Sequence, residues 1–305
     1  MSRSSRHFNE CDRRRLAFTM VELLVVMLLL SILGGLVANA MFGAMELARV
    51  SRTRAQIARL DTLVRELYAS YLDRRVPVPI VAGRAAAAKD RVDLLREFLR
   101  MELPDRKTDV TDPKVKLPHD PALWLAYRSA VDRATSNWTD KYQGAECLYM
   151  IIAMATDRNR KALEFFRDSE IGDVDSDGMR EILDAWGTPI RFLRWPAGFE
   201  SEIQNRDPNE FPDPFDPMGI YPENYALYPL IMSAGPDRQW DITFRGAGTE
   251  PDTQLRYAKT TPPNDPYCEF TFENGSPAQV GMPYQDGDED HYDNLHNHAF
   301  RTRSR

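Results

Sequence analysis

The 305-residue chain has a net charge of −7, with 39 Lys and Arg against 46 Asp and Glu. Phosphate binding needs clustered cationic side chains, so this balance argues against a nucleic-acid partner. Hydrophobic content of 43% is enough for a buried core, and the 21 prolines, gathered late in the chain, predict a loop-rich C-terminal half. Three cysteines are too few for a disulfide scaffold, and no CxxC occurs. Cys147 and Cys268 lie on the same side of the apolar segment, where they either pair in an oxidising compartment or remain buried thiols.

Charge is unevenly placed. Residues 1–17 hold five Arg against Glu10 and Asp12, so this leader carries +3 and the rest of the chain −10. From Leu23 to Met45 no charged residue occurs. As a helix this run spans ~34 Å, enough to cross a hydrocarbon core of ~30 Å. The arginines before it place the short N-terminus in the cytoplasm by the positive-inside rule, with the bulk of the chain outside. A cleaved secretory signal predicts a shorter apolar stretch followed by a small-residue cleavage site. A plain signal anchor fits the hydropathy, but does not account for Glu22, a carboxylate placed one turn inside the apolar run.

The stretch Arg15-Leu16-Ala17-Phe18-Thr19-Met20-Val21-Glu22-Leu23-Leu24 resembles the processing motif of type IV prepilins. The resemblance implies that a prepilin peptidase cuts between Ala17 and Phe18 and methylates the new N-terminus on Phe18. Ala17 stands where the family usually has Gly. Glu22 is implied to pair with the N-terminal ammonium of a neighbouring subunit. Such a pair in a low-dielectric fibre core selects one stagger of the subunits more than it adds stability. The implied setting is the bacterial inner membrane, and the implied partners are the peptidase and other pilin-like subunits.

Beyond the membrane the pattern stays helical. Leu47, Val50, Arg54, Ile57, Leu60, Leu63, Val64, Leu67, Tyr68 and Tyr71 recur mostly at helical spacing, predicting one helix over 18–72 that Val76-Pro77-Val78-Pro79 closes. Residues 73–170 read as a helical insert. Its elements are an amphipathic helix over Lys89–Met101, another over Ala122–Ala134, and a buried apolar helix over Ala145–Ala155, too short to span a membrane. Ala162–Phe166 adds a short turn of helix.

From residue 171 to 245 a β head is expected, with strands within 188–195 and 226–233, and a further one at Glu269–Phe272. Asp184-Ala185-Trp186-Gly187-Thr188-Pro189 resembles the D-x-WG-x-P segment of type II secretion major pseudopilins. Tyr225-Ala226-Leu227-Tyr228, Ile231–Asp237 and Asp241-Ile242 resemble a second block of that family, in the right order. The expected fold is α+β: a long N-terminal spine helix, the insert, and a small antiparallel sheet. Residues 246–305 are expected to be loop or disordered outside the 269–272 strand.

Three clusters are candidates for metal chemistry. Counting from Asp173, carboxylates fall at loop positions 1, 3, 5, 9 and 12 (Asp173, Asp175, Asp177, Glu181, Asp184), with Gly178 at 6, the spacing of a calcium loop. Against this, position 12 is Asp rather than Glu, and Arg180 occupies a position that is apolar in EF-hands. The plainer reading is an Asp-rich turn capping a helix from Met179. Asp237 and Asp241 match acidic positions of the loop in which major pseudopilins bind calcium, with Arg238 between them opposing a cation. In the tail, Asp286, Asp288, Glu289, Asp290, His291, His296 and His298 could ligate a transition metal, or form an acidic disordered tail. HExxH, GxSxG, P-loop and GxGxxG motifs are absent, so a structural subunit is expected rather than an enzyme. The competing expectation is a single-pass anchored calcium-binding protein that does not assemble.

Overall fold

The computed structural model describes residues 19–78, 83–134, 137–157, 160–243, 265–267, 270–271, 277–283 and 294–300. The Ala17-Phe18 junction, Cys11, Cys268, His291 and the acids of 286–290 lie outside them. Two compact units divide at Ala48/Arg49.

Helix α1 runs Met20–Ser70 without a break, 51 residues or ~77 Å of axis. Its apolar side chains from Met20 to Leu47 are exposed, and this is the one described helix long and apolar enough to cross a membrane. From Thr53 onward its side chains form one wall of the head. Ile57, Leu60, Val64, Tyr68 and Tyr71 are buried at the expected spacing, whereas Leu47 and Arg54 of the same pattern are exposed. The helix ends at Ser70, six residues before Val76. Tightened bonds from Tyr71 N to Tyr68 O (3.2 Å) and Leu72 N to Ala69 O (3.1 Å) close it, ahead of the prolines.

Helices α2 (Arg84–Glu102), α3 (Lys107–Thr111), α4 (Ala122–Ala134) and α5 (Gln143–Met154) make up the insert. The insert is not a separate module. Leu95, Leu99, Leu103, Tyr127, Cys147, Leu148, Ile151 and Ile152 share one apolar core with α1 and the head strands. Cys147 is a buried free thiol. A smaller apolar cluster, Leu94, Met101, Leu117 and Trp124, closes the outer side of α2.

Strands are short: β1 (Thr156–Asp157), β2 (Arg160–Lys161), β3 (Ile171–Gly172), β4 (Glu181–Ile182), β5 (Arg191–Leu193), β6 (Leu230–Ser233), β7 (Phe270–Thr271), β8 (Pro277–Ala278) and β9 (Leu295–His296). The central sheet is antiparallel in the order β5-β6-β9. Two expectations are corrected here. The strand at 269–272 does not join this sheet but pairs with β8, and the third strand comes from residues 295–296 of the supposed loose tail. Asn297 explains the docking. Fully buried, it donates to Asp61 Oδ1 on α1 (2.7 Å) and Pro229 O (3.0 Å), and accepts from Ile231 N (2.9 Å). One amide thus satisfies α1, the approach to β6, and β6 itself.

Polar side chains on the buried face of α1 do similar work. Gln56 donates to Leu183 O (3.2 Å), and Thr53 Oγ1 accepts from Ala185 N (3.2 Å), so the turn at Asp184–Pro189 is hung on the helix. At Gly198 the chain passes close to the segment before Pro283. A Cβ there would lie 2.7 Å from both Gln279 O and Met282 N, and would also strike Met282 Cγ. Backbone atoms cannot swing aside. We expect Gly198→Ala to lower stability by about 1–3 kcal/mol in urea unfolding.

Candidate functional site

At the N-terminal end of α1, Glu22 sits in the first turn and is fully exposed. Its Oε2 accepts from Thr19 N (3.0 Å) and Thr19 Oγ1 (3.1 Å), while Thr19 Oγ1 accepts from Glu22 N (3.2 Å). This is a reciprocal capping box, which satisfies amides that a helix start otherwise leaves unpaired. The Thr-x-x-Glu signature was legible in the sequence and gives Glu22 a role inside its own chain.

The acidic loop 173–180 connects β3 to β4, which pair as Ile171↔Ile182 and Gly172↔Glu181. The chain after Gly178 therefore enters a strand, and the helix expected from Met179 does not form. Gly178 adopts φ 96°, the left-handed turn that the spacing anticipated. Asp173 folds over the loop, its two oxygens accepting from Asp177 N (3.2 Å) and Gly178 N (3.0 Å). Asp177 accepts from Met179 N (2.8 Å) and from Thr139 N (2.6 Å) in the insert.

Asp184 is not brought to this loop. Its Oδ1 accepts from Trp186 N (2.9 Å) and Thr188 N (2.9 Å), and its Oδ2 from Ser233 Oγ (2.6 Å). It holds the Trp-Gly turn against β6. Its place is taken by Glu146 of α5. One carboxylate oxygen each from Glu146, Asp175 and Glu181 lie within 4.8 Å of one another, as do one each from Asp173, Asp175 and Asp177.

The triad of Glu146, Asp175 and Glu181 has a particular bonding pattern. In each group one oxygen is taken: Glu146 Oε2 by the Trp138 indole N–H, Asp175 Oδ2 by the Thr139 hydroxyl (2.6 Å), Glu181 Oε2 by Val174 N (3.1 Å). The other oxygen of each is buried with no hydrogen-bond partner. Burial, and then the neighbouring carboxylates, raise the acid of Glu146 to about 9, against the indole hydrogen bond. Burial likewise raises Glu181 to about 8, with Asp175, Asp173 and Asp177 adding to it. Glu146 was missed in the sequence, although it is the lone charge in the apolar run of α5.

Of the other two clusters, Asp237, Asp241, His296 and His298 are among the described residues. Asp237 is exposed and bonds Gln239 N (2.9 Å), while Asp241 accepts from Asn294 Nδ2 (2.8 Å). His296 and His298 both pack edge-on against Phe199, and His298 Nδ1 bonds Ser201 Oγ (3.0 Å). These two histidines are packed into the head rather than left in a disordered tail.

Residues 12–38 match the family model for the prokaryotic N-terminal methylation motif. No curated protein and no solved structure matches the chain. The matched segment covers the end of the leader, the Ala17-Phe18 junction, the Thr19–Glu22 box and the first apolar turns of α1.

Proposed function

We propose that this type IV prepilin-like chain is a structural subunit that is processed at Ala17-Phe18 and stacks through its apolar N-terminal helix into a pilus-like fibre. The observation that carries the reading is the methylation motif set directly before an exposed apolar helix. The same helix continues into the head, where Thr53, Gln56, Asp61 and Tyr68 bond it to the fold, Tyr68 through its hydroxyl to Leu227 O (2.8 Å). An apolar surface of this extent is stable in a bilayer or against identical helices, not in water. The motif and helix fit a single-pass inner-membrane anchor, and a prepilin peptidase is the partner that the motif implies.

The Asp184–Pro189 turn and the 225–242 block resemble major pseudopilins, which favours a secretion pseudopilus over a surface pilus. The head then faces the periplasm and acts without catalysis. Intact-mass and N-terminal peptide analysis of the protein from its native membrane is the direct test. A mature chain starting at N-methylated Phe18 is expected. A chain that still begins at Met1 or Ser2 overturns the processing step and leaves an anchored, non-assembling protein.

A further inference from the structure

We propose that Glu146, Asp175 and Glu181 bind a calcium ion, which joins helix α5 to the β3–β4 loop inside the head. Three carboxylate oxygens within 4.8 Å of one another can converge on one ion at a calcium–oxygen distance of ~2.3–2.6 Å with side-chain shifts of at most about half an ångström. The three unpartnered oxygens are the decisive observation. Glu146 and Glu181 are fully buried, so bulk water does not reach their unpaired oxygens. The protein neighbours donate hydrogen bonds to the opposite oxygens only, so one oxygen of each carboxylate stays buried and unpaired within the acidic cluster.

Ligand chemistry selects the ion. An all-carboxylate set is hard and excludes preference for thiolate- or imidazole-seeking metals. The irregular loop, with Asp173 and Asp177 flanking Asp175, suits the larger and more variable shell of calcium over the strict octahedron of magnesium. Thr139 is a positioning residue: it holds Asp175 through its hydroxyl and Asp177 through its amide. The ligands come from helix α5, the β3–β4 loop and the start of β4, the helix well apart from the others in sequence, so the ion would be bound only by the folded head.

The test uses the purified full chain in detergent. Thermal unfolding is followed in EDTA and in calcium, and terbium luminescence is excited through Trp138, whose indole contacts Glu146. Calcium is expected to raise Tm by about 5 °C or more once its concentration is about a hundredfold above Kd. Glu146→Gln and Glu181→Gln keep the side-chain shape and are each expected to weaken calcium about tenfold or more. In EDTA the same two variants are expected to melt at or above the wild-type temperature, because a buried carboxylate without its full set of partners is gone. A variant that merely failed to fold could not show that reversal. Absence of any calcium shift in the wild-type chain overturns the proposal. So does a shift that survives in Glu146→Gln but is lost in Asp173→Asn, which would put the ion on the outer side of the loop.

Discussion

Arg194→Ala is expected to destabilise the head by about 3–5 kcal/mol, the cost of leaving buried carboxylates without their cation. Arg194 follows β5 and is fully buried. Its Nη1 donates to Asp109 Oδ2 (2.9 Å), Leu103 O (2.7 Å) and Arg100 O (3.2 Å), and its backbone N donates to Asp105 Oδ2 (2.9 Å). One side chain therefore closes the C-terminal carbonyls of α2, anchors α3 and stacks at 4.1 Å over the Trp195 ring. Arg106 and Arg100 complete the cluster, the former 3.0 Å from Asp109 Oδ1 and the latter 3.8 Å from Glu97. Lys cannot reproduce the fork, so Arg194→Lys should recover only part of the loss. Arg54→Ala, on the exposed side of α1, should stay within about 0.5 kcal/mol. Urea unfolding of the full chain in detergent checks all three.

The cluster also predicts an acid limb. Burial works to raise the acid of Asp109, but the guanidinium groups of Arg106, Arg194 and Arg100 hold it below the usual carboxylate range. A depressed folded-state acid contributes stability above the unfolded carboxylate pKa of ~3.9 and loses it as pH falls through the folded value. Asp105 has the opposite sign, because burial outweighs Arg194 and raises its acid. Arg194→Ala should therefore weaken the acid dependence that Asp109 supplies.

The second large effect concerns Glu22, which has two separable roles. As a capping-box residue it needs only an acceptor, and Gln serves nearly as well. As the partner of a neighbouring subunit's ammonium it needs a charge. Under the assembly reading, Glu22→Gln and Glu22→Ala both abolish fibres in an assembly assay imaged by electron microscopy. Thr19→Ala, which removes the hydroxyl of the box but keeps the carboxylate, should still assemble, with a helix start weaker by about 0.5–2 kcal/mol. Fibre formation by Glu22→Gln at the wild-type level would reduce Glu22 to a cap and remove the ion-pair mechanism.

Local pattern was enough for the spine helix, for the helices expected at Lys89–Met101, Ala122–Ala134 and Ala145–Ala155 (observed at Arg84–Glu102, Ala122–Ala134 and Gln143–Met154), and for the place of two head strands. The end of α1 differed, since a tight turn closed it before the prolines did. The tail differed more. Residues 294–300 carry little periodicity, and what docks them is Asn297 completing bonds to Asp61 and to β6, partners far away in sequence. The WG turn was visible as a motif, but not that Asp184 spends one oxygen inside it and the other on Ser233 of β6.

By itself, then, the sequence determined the membrane-length helix, the methylation motif and the Thr19–Glu22 box, because hydropathy, charge placement and capping act between near neighbours along the chain. Tertiary structure alone decided that the insert is welded to the sheet through Arg194, and that Glu146 replaces Asp184 beside Asp175 and Glu181. Those outcomes depend on buried charges finding partners across folded elements, which no spacing along one segment encodes.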